Sequence, residues 1–245
     1  MIAVRHCAAL VGAFATIVIS CGMKPIEADP ADFASINKIM FLSTPDPTSF
    51  VVSTVESRNT VGLASAVFGF GAALLATPFS GTEFEAKIKS HLTGLELGTD
   101  LHSAIVERLQ AQGYQVDTLS LNRRKSGELL KKYTDLKVPT DAFLDVSVDG
   151  GYTDRYTEDV AFCPLLTVDV RFVRKPSRVL YAQAFEYSCR KKSLSSIQVV
   201  PVDAQYQFAD RTVLTENPEL AREAVAAGVP LIADQIAAAL KKAEK

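Results

Sequence analysis

The chain has no tryptophan, and histidine occurs only three times in its 245 residues. Beyond residue 20 only His91 and His102 remain, and neither HExxH nor CxxC occurs, so no recognisable zinc spacing is present. A Gly-x-Ser-x-Gly elbow is also missing, which leaves a serine-hydrolase site without its anchor. Gly69-Phe70-Gly71 lacks the third glycine of a dinucleotide fingerprint. Charge of one sign is scarce too. With 26 basic and 28 acidic residues the formal net charge is −2, and nucleic-acid binding would need a concentrated basic footprint. Heptads and short tandem repeats are absent, and no cofactor or metal is expected.

What is present begins at the N-terminus. Residues 1–6 carry Arg5, and residues 7–19 form an uncharged apolar stretch of signal-peptide length, too short to span a bilayer comfortably. The stretch ends in Val18-Ile19-Ser20-Cys21. These residues resemble the lipobox of bacterial lipoproteins: a branched apolar residue, a tolerant position, a small residue, then cysteine. The resemblance implies cleavage of a signal peptide spanning residues 1–20 and attachment of lipid, palmitate among its acyl chains, to Cys21. Two or three chains hold a protein to a membrane where one does so only marginally. Gly22 follows, rather than the Asp that resembles an inner-membrane retention signal. The expected address is therefore the outer membrane, facing the periplasm. Residues 21–36 read as the lipidated cysteine and a polar tether, and residues 37–245 as one periplasmic α+β domain.

Within that domain, residues 38–43 and 50–56 read as the first two strands, separated by Thr44-Pro45-Asp46-Pro47. Residues 82–92 and 99–112 read as helices, with Leu101, Ile105 and Leu109 at helical spacing and Gly113 as C-cap. A strand over 114–121, a short basic helix over 126–133 and a half-buried strand over 142–148 ending at Gly150-Gly151 follow. Residues 197–208 read as extended, with Pro201 at an edge. Asn217-Pro218-Glu219 opens a final helix, softened at Gly228 and Pro230. The expected fold class is α+β: a mainly antiparallel sheet with a disulfide-linked hairpin, helices packed on it and a C-terminal helix.

The hairpin is the clearest β-structure. Residues 163–173 and 179–189 flank Lys175-Pro176-Ser177. Cys7 lies in the signal peptide and Cys21 is the lipid site, so Cys163 and Cys189 remain as a pair for an oxidising compartment. Placing them opposite each other puts Leu166, Val168, Val170 and Phe172 on one face with Leu180, Ala182 and Ala184. The cysteine face then carries Asp169, Arg171 and Gln183.

The order of these elements loosely resembles the periplasmic domains of the curli-secretion lipoprotein and of the TolB N-terminal-domain group. The segment from Leu97-Gly98-Thr99-Asp100-Leu101 to Gly113-Tyr114-Gln115-Val116 is also similar to a recurring helix-to-strand segment of uncharacterised envelope lipoproteins. Neither resemblance brings functional residues with it.

Residues 61–79 contain no charge and, as a helix, would be about 28 Å long, close to a bilayer core. Three readings stand: a buried hydrophobic loop or helical hairpin, a membrane-inserting segment, or a partner-binding element, with Val67, Phe68, Phe70, Leu74 and Leu75 as contacts. The acidic residues Asp141, Asp145, Asp149, Asp154, Glu158 and Asp159 read as solvated hairpin ends, with an acid–base pair for a hydrolase as the sharper alternative. The calcium-loop pattern opening at Asp145 fails at Tyr156, where a glutamate is required. Arg123-Arg124-Lys125, Lys131-Lys132 and Arg190-Lys191-Lys192 read as charged surface, with anionic headgroups or peptidoglycan as the sharper partners. The leading expectation is a non-enzymatic adaptor or assembly factor of the envelope with a protein partner there. The alternative is a membrane-active, oligomeric secretion or transport component that inserts residues 61–79.

Overall fold

A computed structural model of the chain describes residues 24–53, 83–121, 127–154, 162–191, 193 and 195–242. The strands are β1 (Lys38–Leu42), β2 (Val51–Ser53), β3 (Gln115–Leu119), β4 (Ala142–Thr153), β5 (Cys163–Arg174), β6 (Arg178–Ser188) and β7 (Ile197–Pro201). They form one sheet in the order β3-β1-β4-β5-β6-β7, with β2 also paired to β4. Its long central pairings, β4 with β5 and β5 with β6, are antiparallel. The flanking pairs β1–β3, β1–β4, β2–β4 and β6–β7 are parallel, so the sheet is mixed.

The helices are α1 (Pro30–Phe33), α2 (Glu83–Leu92), α3 (Leu97–Ala111), α4 (Arg211–Glu216), α5 (Pro218–Ala226) and α6 (Gly228–Ala239). Leu101, Ile105 and Leu109 of α3 are fully buried, as their spacing predicts, and Gly113 closes the helix at φ +82°. They share the main core with Val146, Val148, Val168 and Val170 of the sheet and Ile232 and Ile236 of α6. The expected final helix is two: α5 begins at Pro218 and ends before Gly228, which opens α6. Gly228 sits where a Cβ would lie 2.6 Å from the Tyr187 ring. The short helix α4 was not legible in the sequence.

The start of α3 explains the Leu97-Gly98-Thr99 segment. Glu96 at its N-cap makes no side-chain capping bond. Asp46, from the loop after β1, accepts from the Gly98 amide at 2.6 Å and the Thr99 amide at 3.1 Å, while the Thr99 hydroxyl donates to its second oxygen at 2.9 Å. A carboxylate there satisfies helix-end donors and faces the positive end of the helix dipole. Gly98 permits the approach, because a Cβ would lie 2.6 Å from the Thr44 carbonyl oxygen. Asp46→Ala should therefore cost about 1–2 kcal/mol, as for a lost N-cap, measured by urea unfolding.

Residues 26–36, expected as tether, are docked on the domain. Ile26 exchanges two backbone hydrogen bonds with Ala182 of β6, at 2.9 and 3.1 Å. Phe33 and Ile36 are fully buried, and Phe33 meets Phe172 edge-on.

The hairpin corrects the expected register. Val173 faces Val179 and Arg174 faces Arg178, as opposed cysteines imply. A bulge between Phe172 and Val173 then shifts the pairing by one, so Phe172 faces Tyr181 and Leu166 faces Tyr187. Because side chains alternate, that slip exchanges faces. Tyr181, Phe185 and Tyr187 join Leu166, Val168, Val170 and Phe172 in the main core. Ala182 and Ala184 lie opposite Arg171 and Asp169, and Gln183 lies opposite Val170. The disulfide between Cys163 and Cys189 is formed, with Cα atoms 6.0 Å apart, offset by one from the ladder.

A second correction concerns residues 126–133. Gly127 to Tyr133 carry no helix. Residues 127–138 form a strap over β1 and β4 on the sheet face away from the helices. Tyr133 packs there with Met40, Leu42, Phe143 and Val173, flanked by Leu130, Leu136 and Val138. Finally, β4 runs through Gly150-Gly151 to Thr153 instead of turning there.

Candidate functional site

The face of β4 that meets this strap is polar. Ala142, Leu144, Val146 and Val148 point into the main core, so the alternating Asp145, Ser147 and Asp149 share the opposite face with Phe143. All of β4 is buried. Across the sheet Asp145 faces Arg171, Ser147 faces Asp169, and Asp149 faces Thr167. Thr167 in turn faces Glu186. The three long strands thus carry a band of acids, hydroxyls and arginine on one face.

Two nodes close within it. At the first, Asp145 is fully buried, and one of its oxygens accepts from the Leu130 amide and the Tyr133 hydroxyl, each at 2.7 Å. Arg171 donates to the Leu130 carbonyl at 3.3 Å. The strap backbone is therefore held by sheet side chains, which competes with the hydrogen bonds a helix would need. Burial, reinforced by the Asp145 carboxylate, pushes the Tyr133 hydroxyl well above its ordinary pKa. At the second node Glu186, 1% exposed, receives Arg190 through both oxygens at 3.0 and 3.3 Å and the Ser188 hydroxyl at 2.6 Å. Between the nodes Asp169 is half-buried. Burial raises its pKa, opposed by the neighbouring Arg171.

Asp145 and Asp149 are thus buried on the sheet, not solvated at hairpin ends. Asp141 accepts from the Lys38 and Asn37 amides at 2.9 Å each, and those bonds hold its carboxyl below the usual range. It ties β4 to the start of β1. Asp154 follows β4, while Glu158 and Asp159 lie outside the described residues. Lys131 and Lys132 are exposed on the strap, Lys191 is exposed beside Arg190, and Arg123, Arg124, Lys125 and Lys192 lie outside the described residues. So do Cys21 and the whole of residues 61–79, with Val67, Phe68, Phe70, Leu74 and Leu75. Among the described residues no group of three or more His, Cys, Asp or Glu is placed to hold a metal, and no helix is long and apolar enough to cross a membrane.

The roles of Tyr133, Glu186 and Ser188 were missed in the sequence. Asp145-Val146-Ser147-Val148-Asp149 signals a strand with one wet face, and nothing local announces that a strap covers that face.

The two histidines lie on α2 and α3 and not on this band. His91 ends α2, where its carbonyl accepts from Arg222 at 2.7 Å. His102 stacks on Phe41, 4.0 Å between ring centroids, and its Nε2 lies 2.9 Å from the Thr118 hydroxyl. Burial lowers the His102 pKa from 6.5. Above 6.5 the ring is neutral in both states and the fold keeps its full stability. As pH falls below that value the unfolded chain binds the proton first, so stability is lost down to the depressed folded pKa. His91 is shifted the same way, by burial and Lys87. His102→Gln should flatten, without abolishing, the fall in urea-unfolding stability between about pH 7 and 5.5.

No protein-family model matches the chain, and no curated protein matches it. Among solved structures it is similar to a putative neuraminyllactose-binding hemagglutinin homolog from Helicobacter pylori. Identity is 11% over 86% of this chain and 93% of the other, with a TM-score of 0.25. A likeness of that degree establishes neither a shared fold nor a shared ligand.

Proposed function

We propose that the chain is a lipid-anchored envelope lipoprotein whose periplasmic domain serves as a non-enzymatic adaptor or assembly factor. The observation that carries the address is the Cys163–Cys189 disulfide. Such bonds persist in oxidising compartments, which agrees with the resemblance of Val18-Ile19-Ser20-Cys21 to a lipobox, and that resemblance is what implies lipid on Cys21. The adaptor role rests on the state of the polar band. Asp141, Asp145 and Glu186 each hold backbone or side-chain donors of the fold itself. Carboxylates committed in this way tie strands and strap together, where acid–base work needs a pair facing substrate.

Cys21→Ser removes the thiol that takes the lipid, so the variant should lose the acyl mass and keep residues 1–20, with the disulfide still formed. A variant cut before residue 21 and acylated like the natural chain would overturn the lipid anchor. For the adaptor role, crosslinked partners of the acylated chain should be lost from a folded, lipidated variant lacking residues 61–79 or from variants of the domain surface. Turnover of cell-wall or lipid substrate by the purified domain would contradict it.

A further inference from the structure

The point at which the chain joins the sheet fixes how far the domain can stand from the membrane. Ile26 is clamped to the outer edge of β6 by its two hydrogen bonds with Ala182. Only Gly22, Met23, Lys24 and Pro25 separate it from Cys21. At full extension those five steps span about 17 Å. Downstream of the clamp the chain is held again, by the Asp29 cap of α1, by the Arg178–Asp32 ion pair at 2.9 Å and by the burial of Phe33. There is no slack on the domain side.

We infer that the β6 edge around Ile26 lies against the lipid headgroups, so that the domain rests on the membrane with β3 turned away. This rests on the lipid-anchor reading above. Along the sheet β3 is four strands from β6, about 19 Å. One edge is thus held near the bilayer while the other faces the periplasm. The surface at the clamp suits headgroups. Ile26 is 38% exposed, among the few large apolar side chains so placed in the described residues, with the exposed Lys24 two residues before it and the exposed Arg178 four residues before Ala182 on β6. An exposed apolar side chain with cations beside it is the composition of an interfacial contact. Glu27 and Asp29 are exposed there as well, so tether length, more than net charge, sets the orientation.

The test uses the full acylated chain in vesicles of phosphatidylethanolamine and phosphatidylglycerol containing a headgroup-nitroxide lipid. With Cys21 acylated and Cys163–Cys189 joined, a thiol introduced by Ser195→Cys or Ser120→Cys is a unique labelling site. Both serines are exposed, Ser195 just before β7 beside the clamp and Ser120 just after β3. A fluorophore at 195 should be quenched several-fold more than one at 120. A long Gly-Ser insert between Met23 and Lys24 should erase that difference. Equal quenching, or stronger quenching at 120, in protein that floats with the vesicles overturns the orientation and leaves the anchor standing. Membrane-derived protein that proves to carry no acyl group on Cys21 overturns both.

Discussion

Gly151→Ala should cost about 3 kcal/mol or more and lower the melting temperature by roughly 10 °C. Gly151 lies in β4 at the point where β2 joins it, with Val51 directly opposite. A Cβ there would fall well inside contact distance of the Val51 carbonyl oxygen, 2.7 Å from its carbon and 2.8 Å from its nitrogen. All three are backbone atoms, so no rotamer change relieves the clash. The glycine is also at φ +155°, which L side chains rarely adopt. The substitution must push β2 off the sheet, and Val52 is buried in the core beside Tyr152. Gly113→Ala is the control. It forces a left-handed residue at φ +82° but meets nothing within 4 Å, so it should cost only about 1–2 kcal/mol. Differential scanning calorimetry of the two variants separates steric exclusion of β2 from backbone strain. Equal losses would show that β2 does not pack as described.

Removing the disulfide is expected to have an effect as large. Cys163 and Cys189 are 26 residues apart, a loop whose closure in the unfolded chain is worth about 3–4 kcal/mol in the chain-entropy model. The paired variant Cys163→Ser and Cys189→Ser should lose most of that in urea unfolding. Its location concentrates the effect. Cys163 starts β5 and packs in the main core, and Cys189 follows Ser188, whose hydroxyl belongs to the Glu186–Arg190 node. Loosening this end should expose Arg190 and Glu186 to solvent before the hairpin tip opens. Amide exchange should therefore rise first at residues 186–190. Uniform exchange along β6 would mean that the bond acts on the unfolded chain alone.

The elements most legible in the sequence were those with strong local periodicity. Leu101, Ile105 and Leu109 specify one face of α3, and Gly113 its end, because both signals lie within a few residues of what they control. The hairpin was legible from two apolar runs and a turn, and its disulfide from the count of cysteines. The register over most of its length was not. A bulge at Phe172–Val173 adds one residue to the offset without any local mark, since Leu180 and Tyr181 suit either face. Nor was the parallel placement of β1 and β2 on one edge of β4 visible, because pairing between distant strands leaves no trace in either.

The polar band was lost for a related reason. Asp145, Ser147 and Asp149 alternate with valines as in any half-exposed strand. Their burial comes from the route the chain takes after β3. Residues 127–133 carry helix-forming residues, yet their backbone is held to Asp145 and Arg171. Asp46 shows the same limit: a turn residue by its neighbours, it caps a helix 52 residues away.

The central claim is that this domain is carried by lipid on Cys21, and intact-mass analysis of the membrane-extracted native chain tests it most directly. The expected mass is that of residues 21–245 with a diacylglyceryl group and added acyl chain at the N-terminus and one disulfide. A chain that retains residues 1–20, or one whose Cys21 is unmodified, would contradict the account.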